Sequence, residues 1–245
     1  MSNQSKNIIV TGANGGLGTA IVQRLIEEKF SLILFDNNNS QLESFSELAL
    51  KNDTLLKFFT FDISNPTNIK EIFQQLESEY DSIFGLVNNV GIYPIKRLEE
   101  YTLELWHQVV DVNLTSAFLC TQLVLPFMKK AGGKIINIAS TGAHLGSRDP
   151  GYSSSKAGLI GLTKSCARNL SQYNIQVNAI APGMIDTQMS RRMRPEDRQK
   201  NVEMSLVRRM GIPTDVSGVV QFLLSSDSDY INGFTIDVNG GMYIR

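Results

Sequence analysis

The chain has 245 residues, 42% of them hydrophobic and 19% charged, with a formal net charge of −1. That length suits one α/β domain with a sizeable core, and the near-neutral balance gives no case for nucleic acid or an anionic membrane as a partner. Two cysteines, Cys120 and Cys166, are too few for a disulfide framework and sit in apolar helical patterns, so both are expected as buried free thiols in a reducing compartment.

Residues 1–7 are polar and lead straight into a strand, with no signal or transit sequence. No apolar run approaches the roughly 20 residues needed to span a bilayer, so the expected location is the cytoplasm. Short apolar runs then predict strands at Asn7–Thr11, Ser31–Asp36, 55–61, 82–88, 133–139, 175–180 and Thr235–Val238. Helical patterns fill the gaps, first from the glycines to about Lys29, later in one long stretch over 103–130. Continuous apolar strands separated by helices indicate a parallel sheet covered on both faces. The expected architecture is α/β: a single Rossmann-type doubly wound domain over 1–245, a seven-stranded parallel sheet with helices on both faces, and a substrate lid at about 184–210.

The first strand ends in TGANGGLG, Thr11 to Gly18. Gly12, Gly16 and Gly18 permit a tight turn and a close approach to a pyrophosphate, which the following helix N-terminus would attract. Asn14 stands where the G-x-G-x-x-G pattern has its second glycine, so this segment alone is a moderate signal for a cofactor, with a purely structural turn as the alternative. Asp36 ends the second strand, 18 residues after Gly18. A carboxylate there can accept hydrogen bonds from ribose hydroxyls and would repel a 2′-phosphate, and Asn37 to Asn39 supply no compensating cation. NAD(H) is therefore expected over NADP(H), although a strand-end turn residue would look the same.

Tyr152 and Lys156 in YSSSK share a helix face. A free tyrosine ionises near pH 10, and about 4 kcal/mol would bring it near neutrality. A cation about 4 Å away at an effective dielectric near 20 supplies that order of energy. One well-placed lysine could thus make tyrosine an acid–base group, but the pair alone recurs by chance in many helices.

At this point the whole chain resembles the short-chain dehydrogenase/reductase family, in its short single-domain branch. TGANGGLG looks like that family's T-G-x-x-x-G-x-G turn, and NNVG at Asn88 to Gly91 looks like its N-N-A-G, with Val90 in place of alanine. Asn113 in DVNLTS, Ser140 in INIAS, Tyr152 and Lys156 match its catalytic tetrad, and the closing DVNGG is similar too. The resemblance implies that Ser140 binds the substrate oxygen and Tyr152 moves the proton. Lys156 would lower the tyrosine's pKa and hold the nicotinamide ribose, and Asn113 would place a water linking Lys156 to solvent. It further implies cofactor contacts from Gly12, Asn14, Gly16, Leu17, Gly18 and Asp36, from Asp62 and Ile63 near the adenine, and from Asn89 and Gly91. Around the nicotinamide it implies Pro182, Gly183, Ile185 and Thr187. No metal site is expected. Ser140 to Tyr152 spans 12 positions where the family more often shows 13, so the loop over 144–151 is expected to reshape the substrate pocket.

The implied reaction is reversible oxidation of a secondary alcohol with NAD. A 3-oxoacyl-carrier-protein reductase using NAD(P)H is the alternative; Asp36 argues against it, as do Ala131 and Tyr173 at the positions of that enzyme's carrier-docking cations. A non-catalytic NAD-binding regulator is disfavoured by the intact tetrad. The lid is rich in Arg and Lys, which fits either an anionic substrate or a solvated amphipathic helix. Methionines 184, 189, 193, 204 and 210 could line an adaptable apolar pocket, and Tyr93 and His144 could face the substrate. Small residues Ala117, Cys120, Ala157, Gly158, Gly161 and Cys166 suit close helix packing in the homotetramer usual for the family.

Overall fold

The computed structural model describes residues 6–244; the polar start expected over residues 1–7 falls largely on residues outside these. Seven strands form one all-parallel sheet: β1 (Asn7–Thr11), β2 (Ser31–Asp36), β3 (Leu56–Thr60), β4 (Gly85–Asn88), β5 (Gly133–Ile138), β6 (Ile175–Pro182) and β7 (Thr235–Val238). Their order is β3-β2-β1-β4-β5-β6-β7. The apolar runs are continuous rather than alternating because both faces are covered; β2, for example, buries five of its six residues.

One face is packed by α1 (Gly16–Glu27), α2 (Leu42–Asn52) and α11 (Pro213–Leu224), through side chains such as Ile21, Leu25, Phe45, Val216 and Val220. The other is packed by α3 (Pro66–Glu79), α5 (Ser116–Leu123) and α8 (Pro150–Leu170), through Ile69, Phe73, Cys120 and Leu170. The doubly wound fold is as expected. Strands predicted at 55–61 and 82–88 are shorter, and the one at 175–180 continues to Pro182.

The long helix over 103–130 is not one helix. It is α4 (Leu103–Val110), a wide π turn over Asp111–Thr115, α5, and α6 (Leu125–Met128). Pro126 can donate no hydrogen bond into the preceding turn, which accounts for the second break. The π turn accompanies Asn113, whose amide is held by a neighbouring loop. Among the described residues no helix is long and apolar enough to cross a membrane, and no cluster of His, Cys, Asp and Glu could hold a metal.

Ala117 and Cys120 are buried as expected of Cys120, so neither is on an exposed helix face, whereas Cys166, expected as a buried thiol, is only half-buried. Burial also pushes the Cys120 thiol up to about 12, leaving it a small apolar residue.

Candidate active site

The sheet order reverses between β1 and β4, and a crevice opens at the carboxyl ends of such a pair. Beyond Thr11 the chain turns at Gly12 with a φ of +67°, where a Cβ would meet Val90 Cα at 2.9 Å. At Gly18 a Cβ would lie 1.9 Å from the Gly12 carbonyl oxygen. The turn itself therefore demands both glycines. It delivers the start of α1, whose N-cap is Gly15, with no side-chain cap and no acidic residue in the first turn. The positive end of that helix carries no built-in anion.

Asp36 closes the turn from β2. Its Oδ2 accepts from Asn14 N–H at 2.8 Å, and its Oδ1 accepts from Asn37 N–H at 2.8 Å and Asn38 Nδ2 at 3.1 Å. The turn role and a ribose-binding role thus fall on the same carboxylate. Asn89 clamps the turn from the β4 side, donating through Nδ2 to the carbonyls of Thr11 at 3.0 Å and Gly12 at 2.9 Å. Asp62 is exposed and accepts from Ser64 N–H and Oγ, while Ile63 packs against the lower core.

Asn113 is buried on the π turn. Its Oδ1 accepts from Ile92 N–H at 2.7 Å, and its Nδ2 donates to Ile92 O and Ser155 Oγ, each at 3.0 Å. Gly91 leaves room between this amide and Lys156: a Cβ there would lie 3.2 Å from Lys156 Nζ and 3.5 Å from Asn113 Oδ1. Tyr152 hydrogen-bonds with the Ser140 side chain. Tyr93 covers the ring of Tyr152, with centroids 4.6 Å apart.

The protonation balance differs from the expectation. Lys156 is 3% exposed and donates to Ile138 O at 2.7 Å; its Nζ is 6.0 Å from the centre of the Tyr152 ring. Burial pushes Lys156 down to about 8. Burial also raises Tyr152, the Ser140 hydrogen bond offsets part of this, and Tyr93 and Asp149 add to it. Each group is driven toward its neutral form, because desolvation outweighs an attraction for which the two are not in contact.

These side chains line a cleft of about 910 Å³. Leu17, Asn89 and Gly91 line one wall, and Ser140, Tyr152 and Lys156 another. Pro182, Gly183, Ile185 and Thr187 complete it. Gly12, Asn14, Gly16, Gly18, Asp36, Asp62, Ile63 and Asn113 are not part of this lining. Gly16 lies against Thr187, since a Cβ there would sit 2.8 Å from Thr187 Cβ.

The segment over 184–210, expected as a lid, contains α9 (Gln188–Arg191) and α10 (Pro195–Met204). Much of its charge is paired: Arg191 and Arg198 with Asp186, Arg194 with Asp197, and Arg209 with Asp215. Arg192 and Lys200 also line the cleft, as do Met184, Met189, Met193 and Met204. Met210 instead contacts Arg198. Tyr93 lines the cleft as expected, whereas His144 turns away and stacks on Tyr243, centroids 4.9 Å apart.

One residue of this site was absent from the sequence reading. Asp149 is wholly buried and caps α8, its Oδ1 accepting from Tyr152 N–H at 2.9 Å. The signal was available: Asp then Pro at the start of a helical pattern is an N-cap followed by a favoured first residue.

The family model described as enoyl-(acyl carrier protein) reductase matches residues 12–243. A 3-oxoacyl-acyl-carrier-protein reductase of Vibrio cholerae is 34% identical over all of both chains. One from Aquifex aeolicus is 37% identical over 98% of each. Among solved structures, a candidate short-chain alcohol dehydrogenase from Sinorhizobium meliloti superposes with a TM-score of 0.91 at 29% identity, over 98% of this chain and 96% of that one. A candidate gluconate dehydrogenase from Agrobacterium tumefaciens gives 0.93 at 31% identity, over 98% and 97%.

Proposed function

Because the chain belongs to the short-chain dehydrogenase/reductase family, we propose that it moves a hydride between NAD(H) and a secondary alcohol or ketone, with Tyr152 transferring the proton. The observation that carries this reading is that Ser140, Tyr152 and buried Lys156 line one cleft, with Ser140 Oγ and the Tyr152 ring both against Gly142.

The residues fit a dinucleotide. The uncapped start of α1 offers N–H groups to a pyrophosphate, next to a turn that only glycine can make. Asp36, bounded by neutral Asn14, Asn37 and Asn38, offers its carboxylate to ribose hydroxyls and disfavours a 2′-phosphate. Thr187, Ile185 and Pro182 lie where they can flank a nicotinamide, and Lys156 can donate to its ribose. When bound, the nicotinamide supplies or accepts the hydride.

The chain's own residues handle the proton. Ser140 donates to the substrate oxygen and keeps it beside the Tyr152 hydroxyl. Burial favours the phenol form of Tyr152, the form that gives a proton to a ketone as it is reduced. Alcohol oxidation requires the phenolate, and Lys156 is the cation able to stabilise it. Asn113 keeps the loop after β4 in place beside Lys156 through its bonds to Ile92.

Tyr152→Phe tests the assignment. NADH binding, read by fluorescence, is expected to survive while turnover of any secondary alcohol or ketone is lost; retained turnover overturns the acid–base role.

A second reading is reduction of a 3-oxoacyl thioester on a carrier protein with NAD(P)H. The names of the relatives favour it, and so does the cationic cleft edge formed by Arg97, Arg148, Arg192, Arg194 and Lys200. Parallel assays with NADH and NADPH on a 3-oxoacyl carrier substrate and on simple ketones separate the two.

We place a homotetramer contact on the outer face of α5 and α8. There Leu114, Phe118, Gly158, Gly161 and Leu162 line an apolar groove. Sedimentation as a monomer at micromolar concentration would exclude it.

A further inference from the structure

The start of α8 is built around a buried ion. The carboxylate of Asp149 is fully shielded and its partners are all neutral. Oδ1 accepts from Tyr152 N–H at 2.9 Å and from the Tyr101 hydroxyl, and Oδ2 accepts from Lys96 N–H at 3.0 Å. The Tyr101 ring and hydroxyl lie against the backbone of Gly151. They come this close only because residue 151 is glycine: a Cβ there would sit 2.6 Å from Tyr101 Oη. Every residue of DPGY is therefore used, as cap, first helical residue, clearance and proton donor.

We propose that Asp149 is a positioning residue for Tyr152: from the helix start it fixes the tyrosine's backbone and sets the negative charge the ring feels, while the Tyr101 hydroxyl trims that charge. The proposal rests on Tyr152 being the proton-transfer group. It also explains how the loop after β4 is tied to that group. Tyr93 lies on the face of Tyr152, while Lys96 and Tyr101 reach it through Asp149. The segment after β4 thus reaches Tyr152 at two points, its ring through Tyr93 and its backbone through Asp149. Burial is the main reason that both Tyr101 and Tyr152 are pushed toward their protonated forms, and the Asp149 carboxylate adds to it at each.

The ionisable groups around Tyr152 are Tyr93 on its face, Asp149 and Tyr101 at the helix start, and Lys156 one turn on. Arg148 pairs with Asp197 at 3.5 Å instead. Two variants change the charge in opposite senses. Asp149→Asn keeps a capping side chain and removes the charge, so Tyr152 should ionise at lower pH by about half to one pH unit. Tyr101→Phe keeps the charge and removes its neutral partner, so Tyr152 should ionise at higher pH.

The readout is tyrosinate absorbance of the free chain, each variant titrated against the same variant carrying Tyr152→Phe. The rising limb of the pH profile for alcohol oxidation should move in parallel. Opposite shifts support the proposal; no shift, or shifts of one sign, overturn it. If Asp149→Asn folds poorly, Tyr101→Phe decides alone by shifting upward or not. If the titrations shift as expected but Tyr152→Phe retains turnover, the proton-transfer reading fails while the control of Tyr152 by Asp149 stands.

Discussion

Two helices begin at the crevice, and they begin in opposite ways. Helix α1 starts at Gly15 with no side-chain cap and no acid in its first turn. Helix α8 starts at Asp149, and its leading donors are taken or covered. Pro150 has no N–H, Gly151 is covered by the Tyr101 ring and hydroxyl, Tyr152 donates to Asp149 Oδ1, and Ser153 to Asp149 O at 3.1 Å. Both ends present the same partial positive charge. The chain answers it with a carboxylate at α8 and leaves it open at α1. A helix start filled from within can hold a side chain still; one left open can hold a ligand's phosphate. Which is which follows from residue choice at the cap, Asp against Gly.

Exchanging the caps should break the contrast. Gly15→Asp would close α1. The backbone at Gly15 is extended, and an added Cβ would meet the Gly12 carbonyl oxygen at 3.3 Å, a close contact that a shift of a few tenths of an ångström relieves. A carboxylate about 4 Å from a bound phosphate costs on the order of 4 kcal/mol at an effective dielectric near 20. NADH affinity, read by fluorescence titration, should fall by a hundredfold or more while the thermal midpoint holds or rises. Unchanged affinity would mean that α1 is not the phosphate end.

Asp149→Ala opens α8. It removes the cap and leaves two donors, Lys96 N–H and the Tyr101 hydroxyl, without their acceptor. A lost cap costs about 1 kcal/mol and each stranded buried donor about 1 more, so denaturant unfolding should show a loss of roughly 3 kcal/mol. NADH affinity should change far less than in Gly15→Asp.

Lys156 sharpens the comparison further along α8, where a cation rather than an anion is buried. Its folded value, about 8, lies below the ordinary lysine value of 10.5. The unfolded chain therefore holds more protons between those two values, and stability rises with pH across that window. Below about pH 8 the full penalty is present, up to about 3 kcal/mol. Lys156→Met should be more stable than the parent at neutral pH, and the difference should shrink as pH climbs from 8 toward 10. A constant difference would mean that burial does not perturb the lysine.

The fold was legible because each strand is an apolar run that both sheet faces bury. The two helix starts were legible unequally. TGANGGLG announces an open α1, since it places a glycine rather than a capping side chain at the helix start. Asp149 announced a cap just as plainly, yet what makes it matter, the Tyr101 hydroxyl arriving from 48 residues earlier, is a tertiary contact. Lys156 shows the same limit. A spacing of four puts it on the face of Tyr152, but the Ile138 carbonyl, from another strand, decides where its ammonium goes. The π turn is likewise invisible in DVNLT, because the Ile92 backbone holds Asn113 from outside the helix.

Asp36 is the smallest of the tests and belongs to the open helix. Its carboxylate braces the glycine turn through Asn14 N–H, so one group serves both turn geometry and cofactor choice. The two roles separate in their readouts. Asp36→Ala removes the charge that would repel a 2′-phosphate, and the NAD-over-NADP preference, measured as a ratio of kcat/KM values, should narrow about tenfold, or about 1.4 kcal/mol. The lost brace lowers affinity for both cofactors alike and cancels in that ratio. A ratio that stays fixed while both affinities drop would leave Asp36 a turn residue only. A parent chain that already prefers NADPH would place cofactor choice elsewhere on the open end of α1.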